Sequence, residues 1–195
     1  VKKYKTTKNN LKLLTLTLLE ILLITKTNYN AFLKFNYNIT NIINDINHQP
    51  QHYTKNITIR IYDHITGKLT YKIVADNIKY FNTTRVFDFS KPLTTILDKN
   101  KIPIWTIKAE RAKLTNKKIL LLFDDIQINN TKKTHFFQKI TTNNLVINLC
   151  TNDVYSNEKT TLYGKDFITT GKKFYGNLCI KKIKLLDDIQ TSYKI

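Results

Sequence analysis

The sequence predicts an all-β domain behind an apolar N-terminal segment. Three observations carry the prediction. From Ile57 onward apolar and polar residues alternate with period two, as strands with one buried face require. The alternating runs are short, β-branched or aromatic, and end in Asn-, Asp-, Gly- or Lys-rich turns every 10–15 residues or so. And one such stretch occurs twice. GKLTYKIVADNIKYF (67–81) aligns with KIPIWTIKAERAKLT (101–115), which puts Tyr71 on Trp105, Ile73 on Ile107, Ala75 on Ala109, Asp76 on Glu110 and Lys79 on Lys113. Short strands at this spacing build a sandwich, jelly roll or barrel.

The N-terminal region reads differently. Residues 1–10 are basic and residues 11–25, LKLLTLTLLEILLIT, are apolar apart from Lys12, Glu20 and the threonines. A bilayer span needs about 20 residues, so a transmembrane helix would run over about 11–33. Its leucines and isoleucines contribute roughly −3 to −6 kcal/mol and a mid-helix acid costs roughly +3 kcal/mol, so insertion is marginal without a partner for Glu20. A signal peptide and an amphipathic surface helix are the competing readings. No small-x-small cleavage site follows the run. Lys2, Lys3, Lys5 and Lys8 precede it and only Lys26 closely follows, so a spanning helix would keep residues 1–10 in the cytoplasm. Residues 34–55 are polar and Asn-rich and read as a linker, which leaves 56–195 as the β domain. The chain opens on Val1 and holds no Met, which points to an alternative start or a lost initiator.

Within the β domain each element declares its inner face. Ile57, Ile59 and Ile61 alternate with Thr58, Arg60 and Tyr62. Leu69, Tyr71, Ile73 and Ala75 share a face, as do Pro103, Trp105, Ile107 and Ala109. KAERAKL is compatible with a helix, but its repeat partner ADNIKYF is a poor one, so both are read as strands. KKILLLFDDIQIN (117–129), NNLVINLC (143–150), TTLYGKDFITT (160–170) and KKFYGNLCIKKIKLL (172–186) complete the set. With 4 Gly and 3 Pro in 195 residues, the turns must rely on Asn, Asp, Lys and Thr.

The residues that could carry chemistry are few. The chain has no GxGxxG and no GxxxxGK[ST]. His48, His52, His64 and His135 lack HExxH or Cys/His ligand spacing, so neither metal nor cofactor is expected. Asp124-Asp125 and Asp187-Asp188 read as turn-marking acids at strand edges rather than catalytic pairs. Ser90, Ser156 and Ser192 sit in no nucleophile elbow. Catalysis is not expected. The net charge of +18 would ordinarily suggest nucleic acid. Only Arg60, Arg85 and Arg111 among 32 cations are arginine, and Asn and Ile abound with Lys, so the charge follows AT-rich codon usage and nucleic-acid binding is not expected. Cys150 and Cys179 fit neither a disulfide framework nor a metal site, and no spacing rule decides whether they bridge. What remains is an anchor, a linker and a β domain able to bind an apolar molecule or pair its strand edges with another sheet.

DKNKIPIWTIKAERAKLTN (98–116), ITTNN-x-x-INL (140–149), TLYG (161–164), GNL (176–178), TSY (191–193), GKLTYKIVA and Lys91-Pro92-Leu93-Thr94-Thr95 closely resemble the LptC family, the membrane-anchored component of bacterial lipopolysaccharide export. The similarity runs from about residue 52 to the end. The resemblance implies one N-terminal transmembrane helix in the inner membrane and a periplasmic domain folded as an open, V-shaped β-jellyroll, without enzymatic activity. It implies that lipopolysaccharide comes from the LptB, LptF and LptG complex, met through the transmembrane helix and the N-terminal edge, and goes to LptA at the C-terminal edge, about 174–195. The alternative is a generic periplasmic lipid-binding or scaffold protein. The resemblance also places Thr58, Phe89, Ile183 and Tyr193 along the lipid path, with Ile183 narrowing it where a relative has Ala. Gly67 and Gly164 match family glycines of structural or interface role. If Phe89 faces an open trough, Phe89→Asp is expected to block lipid and spare the fold.

Overall fold

A computed structural model describes residues 52–63, 65–131 and 137–193. The expected cytoplasmic segment 1–10, the transmembrane helix 11–33 and most of the linker 34–55 lie outside these residues. Among the described residues no helix is long and apolar enough to cross a membrane.

The twelve strands are β1 (His52–Tyr62), β2 (Leu69–Phe81), β3 (Val86–Ser90), β4 (Leu93–Leu97), β5 (Pro103–Lys108), β6 (Arg111–Leu114), β7 (Ile119–Asn130), β8 (Phe137–Asn148), β9 (Asp153–Ser156), β10 (Thr160–Gly164), β11 (Phe167–Asn177) and β12 (Lys182–Tyr193). β1 begins at His52, inside the stretch read as linker, because Tyr53 and Lys55 already pair with Lys79 and Asn77 of β2. The KAERAKL stretch is extended, as predicted, but it is divided between β5 and β6, whereas its repeat partner is the single strand β2.

That division explains the architecture. β2 pairs with β4 through Tyr71–Val74 and with β3 through Asn77–Phe81. β7 pairs with β6 through Leu120–Phe123 and with β5 through Gln127–Asn130. β8 and β11 likewise divide their partners between β9 and β10. The long strands therefore cross a corner, and the short ones come in pairs, one member on each side. All pairing is antiparallel, and the sheet folds at the corner into two layers with the same strand order. Layer I holds β3, β6 and β9. Layer II holds β4, β5 and β10. β1 and β12 are the two edges.

The corner corrects one expectation. Asp124-Asp125 and Asp187-Asp188 are not at strand ends but inside β7 and β12. Register slips between Phe123 and Ile126, and opposite Thr170–Lys172, mark bulges there. Asn56, Lys91, Asp124, Asp125, Lys173 and Asp188 all have positive φ, and all lie where a strand changes layer. A bulge adds a residue and a bend, which lets a continuous strand turn the corner. The acids are held by cations outside: Arg111 donates to Asp124 at 2.9 Å, while Lys172 and Lys173 meet Asp188 and Asp187 at 2.7 Å each.

With glycine scarce, non-glycine residues take the left-handed positions. Gly67 is the one glycine with positive φ among the described residues, beside eleven such residues of other types. Two hairpins share one design. In Asp98-Lys-Asn-Lys101 and Thr115-Asn-Lys-Lys118 the fourth residue has φ near 60° and donates its N–H to the first residue's carbonyl at 2.9 and 3.0 Å. A β-carbon there is disfavoured by about 1–2 kcal/mol, partly offset by the entropy glycine loses on folding. Lys101→Gly and Lys118→Gly are therefore each expected to stabilise the domain by about 0.5–1 kcal/mol, read as a higher denaturant midpoint.

The repeated module does what its alternation predicts. Tyr71 and Trp105, Ile73 and Ile107, and Ala75 and Ala109 are all buried on the inner face. β4 lies between the two copies, so Tyr71 and Trp105 flank Ile96, and Ile73 and Ile107 flank Thr94.

Candidate functional site

Registers across the sheet reveal continuous inner rows. In layer II one row reads Ile59, Ile73, Thr94, Ile107, Ile128, Ile140, Leu162, Thr169 and Thr191, from the β1 edge to the β12 edge. From Ile73 through Leu162 it is buried, and it grades to a Thr169–Thr191 hydroxyl pair at 3.0 Å on the β12 side. In layer I a matching row reads His52, Tyr80, Phe87, Leu114, Leu120, Ile147, Val154, Gly176 and Ile183. Both rows arise because period-two alternation, in register, sends every second residue of every strand to one face. Neighbouring chains of Cβ atoms then stack about 4.5–5.5 Å apart.

The sandwich centre is filled. Phe89, Ile107, Leu122 and Phe174 are at most 1 % exposed. The expectation of a partly open trough thus meets close-packed layers, because two facing apolar surfaces with nothing between them gain by removing their area from water. Partly buried apolar residues, including Ile57, Ile59, Ile61, Phe87, Phe137 and Ile183, pack against this core from its margins.

Two long-range hydrogen bonds tie the layers together. Trp105 Nε1 donates to the Leu178 carbonyl at 3.0 Å, and the Tyr71 hydroxyl donates to Asn152 Oδ1. Burial first, then the nearby Cys179, Cys150 and Asp153, pushes the Tyr71 phenol up, so it stays a neutral donor. Asn152 and Leu178 were not singled out in the sequence. Their partners are 81 and 73 residues away, and no local pattern announces such a contact.

The residues the resemblance places on the lipid path divide by face. Phe89 is on the inner face of β3, opposite Ile78 and Ala112. Ile183 lies at the far end of the layer I row, half-buried. Tyr193, opposite Phe167 at the end of β12, shares the parity of Thr191 and is 75 % exposed. Thr58 is different: it alternates with Ile57 and Ile59 and lies exposed on the outer face of β1. Thus three of the four share one face and Thr58 stands apart from them. Gly67, φ +64°, closes the β1–β2 hairpin by donating to the Asp63 carbonyl at 2.9 Å. At Gly164 a β-carbon would lie 2.0 Å from the Phe167 ring, so the missing side chain makes room for that ring.

An aromatic chain leads from the core to one end of layer I. Ring centroids are 6.5 Å apart from Phe89 to Phe87, 4.6 Å to Tyr80 and 6.5 Å on to His52. On the opposite face Asp88 stands between Lys79 and Lys113. Desolvation raises its pKa, against the lowering pull of Lys113, Lys79 and Arg111.

The remaining features offer no catalytic centre. A cleft of about 240 Å³ at the corner is lined by Lys91, Pro92, Glu110 and Asp125 among others, below the about 300–1,000 Å³ typical of ligand pockets. Among the described residues no group of three or more His, Cys, Asp or Glu could hold a metal. The edges are more informative. Among the described residues β1 pairs only with β2, and β12 only with β11. Each leaves one side of its backbone without a strand. Tyr53 and Tyr62 on β1, and Leu186, Ile189 and Tyr193 on β12, are exposed there.

Comparison with known proteins bears on this arrangement. A family model described as lipopolysaccharide-assembly, LptC-related, matches residues 15–194. The lipopolysaccharide export system protein LptC of Escherichia coli (strain K12) is 37% identical over 149 residues, 76% of this chain and 78% of that protein. The protein of the same name from Shigella flexneri matches to the same extent. That of Haemophilus influenzae is 29% identical, across 66% of this chain and 70% of its own length.

Proposed function

The chain belongs to the LptC-related family of lipopolysaccharide-assembly proteins, and from that premise we propose that its β sandwich conducts lipopolysaccharide between its two free edges. The chain is a component of the lipopolysaccharide export system, and its relatives favour that reading over a generic lipid-binding scaffold. The observation that carries the conduit is the inner apolar row, continuous from the β1 edge to the β12 edge. Acyl chains entering between the layers would replace one apolar contact by another, at a net gain far below the roughly 25 cal/mol per Å² for burial from water. A cargo held in this way is released readily, as transfer requires.

In this reading Phe89, Ile183 and Tyr193 meet the acyl chains from the inner face, and Thr58 meets cargo or partner at the entry edge. The β1 edge receives lipopolysaccharide from the LptB, LptF and LptG complex. The β12 edge adds a strand of LptA, main chain to main chain. Residues 11–33 span the inner membrane, residues 34–51 connect, and the domain stands on the periplasmic side. The marginal hydropathy of the span and its Glu20 favour a helix partner within the membrane.

The test uses a photo-crosslinking amino acid in the full chain, in cells with active LptB. At Phe89 it captures lipopolysaccharide. At Lys72, on the outward face of β2, it does not. Deleting residues 190–195 abolishes capture of LptA and leaves lipid capture at 89. Equal capture at 72 and 89 would sink the conduit.

A further inference from the structure

Two groups play no part in the conduit. Cys150 lies in the turn between β8 and β9, and Cys179 in the turn between β11 and β12; both are exposed. They are 29 residues apart in sequence, but the fold makes their turns neighbours. β9 and β11 are antiparallel, with Val154 opposite Gly176 and Asp153 opposite Asn177. The ladder continues past the strand ends: Leu178 donates its N–H to the Asn152 carbonyl at 3.0 Å. Asn177 Nδ2 reaches further, to the Thr151 carbonyl and to Asp153 Oδ1, both at 2.8 Å. One more step in this register brings Cys179 against Thr151, beside Cys150.

Paired residues across antiparallel strands have Cα atoms about 4.5–5.5 Å apart, and disulfides need about 4.4–6.8 Å. The two turns are also built alike. The Cys150 N–H donates to Asn148 Oδ1 at 2.9 Å, and the Cys179 N–H to Asn177 Oδ1 at 3.0 Å. Each cysteine backbone is therefore held by an Asn side chain two residues before it. Both thiols are also near enough to the Tyr71 hydroxyl to add to the rise in its pKa, so they converge on one point.

We propose that Cys150 and Cys179 form a disulfide that clips the β8–β9 turn to the β11–β12 turn. The clip would join the two segments that hold the layers together, since Asn152 accepts from Tyr71 and Leu178 accepts from Trp105. It would keep the two acceptors at a fixed spacing while cargo parts the layers elsewhere. The reaction is a two-electron oxidation by a disulfide-bearing oxidant. One cysteine thiolate attacks the oxidant's disulfide and forms a mixed disulfide. The other thiolate then displaces the oxidant's second sulfur. The two thiol protons and two electrons end on the oxidant, which leaves as a dithiol or two thiols. In cells the bond rests on the extracytoplasmic placement proposed above, because only an oxidising compartment sustains it. In vitro it does not.

The full chain, purified in detergent, is incubated with oxidised glutathione, alkylated with iodoacetamide and digested. The expected product is a monomer lighter by two hydrogens, with one peptide pair joining residues 150 and 179. Its melting temperature rises by about 5–10 °C over the reduced protein, and Cys150→Ser shows no such rise. Full alkylation of both thiols, glutathione adducts at both, or disulfide-linked dimers would overturn the bridge. The same alkylation on acid-quenched cells separates the two premises. Ready bridging in vitro with free thiols in the cell overturns the oxidising placement, not the geometry.

Discussion

Phe89→Asp abolishes the folded domain. Phe89 is 1 % exposed and sits in the inner row between Ile78 and Ala112. Truncating a buried phenylalanine costs about 3–5 kcal/mol through lost transfer energy and the cavity left behind. The new carboxylate must then be buried charged or take up a proton, at a further several kcal/mol. A domain of this size is stable by only about 5–15 kcal/mol. The expected readout is loss of the cooperative thermal transition and of the β-sheet circular dichroism signal. This replaces the expectation from sequence, in which an open trough let the fold survive and only transport failed. A Phe89→Asp variant that melts like the parent would mean the layers stand open at residue 89 without cargo. The photo-crosslinking variant at this position replaces one ring by a larger one and is the milder probe.

Trp105→Ala lowers stability by about 4–5 kcal/mol, seen as a shift of the denaturant midpoint to well below that of the parent. The indole is 1 % exposed, and its N–H holds the Leu178 carbonyl from the opposite layer. Truncation therefore opens a cavity and leaves a buried acceptor without its donor. Trp105→Phe separates the two effects. It keeps most of the apolar volume and loses the hydrogen bond, so about 1–2 kcal/mol is expected from the lost bond and the smaller ring. If Trp105→Phe is as damaging as Trp105→Ala, the tie to Leu178, not the packing, dominates. If both are mild, the repeated module contributes little to the core.

Strand identity was legible from local pattern. Period two marked the inner face of β1, β2 and β5 because one face of each is buried, so a slip by one residue would expose every apolar side chain. The equivalence of Tyr71 with Trp105 and of Ile73 with Ile107 was legible for the same reason, and the fold puts both pairs on the inner face. The resemblance to an LptC-type protein rested on long contiguous motifs, and the family match bears it out.

The corner was not legible. Asp124-Asp125 looks like a turn because its residue types favour turns, yet β7 runs through it. Only the competition between two partner strands, β6 on one side and β5 on the other, decides that the chain bulges there and continues. Thr58 and Phe89 differ in a similar way. Both can be aligned to a lipid path, but which face of its strand each occupies depends on pairing with β2. Whether the interior is open or filled depends on how two layers, distant in sequence, meet. The nearness of Cys150 and Cys179 has the same origin, since no spacing rule brings residues of separate turns together. Periodicity is a property of neighbours in the chain, and the sequence alone determined everything that follows from it: strand identity, inner faces and family. Register, bulges and layer contacts join residues as much as 81 apart. Their energy exists only once the loops between them have been closed, so only the tertiary structure decided them.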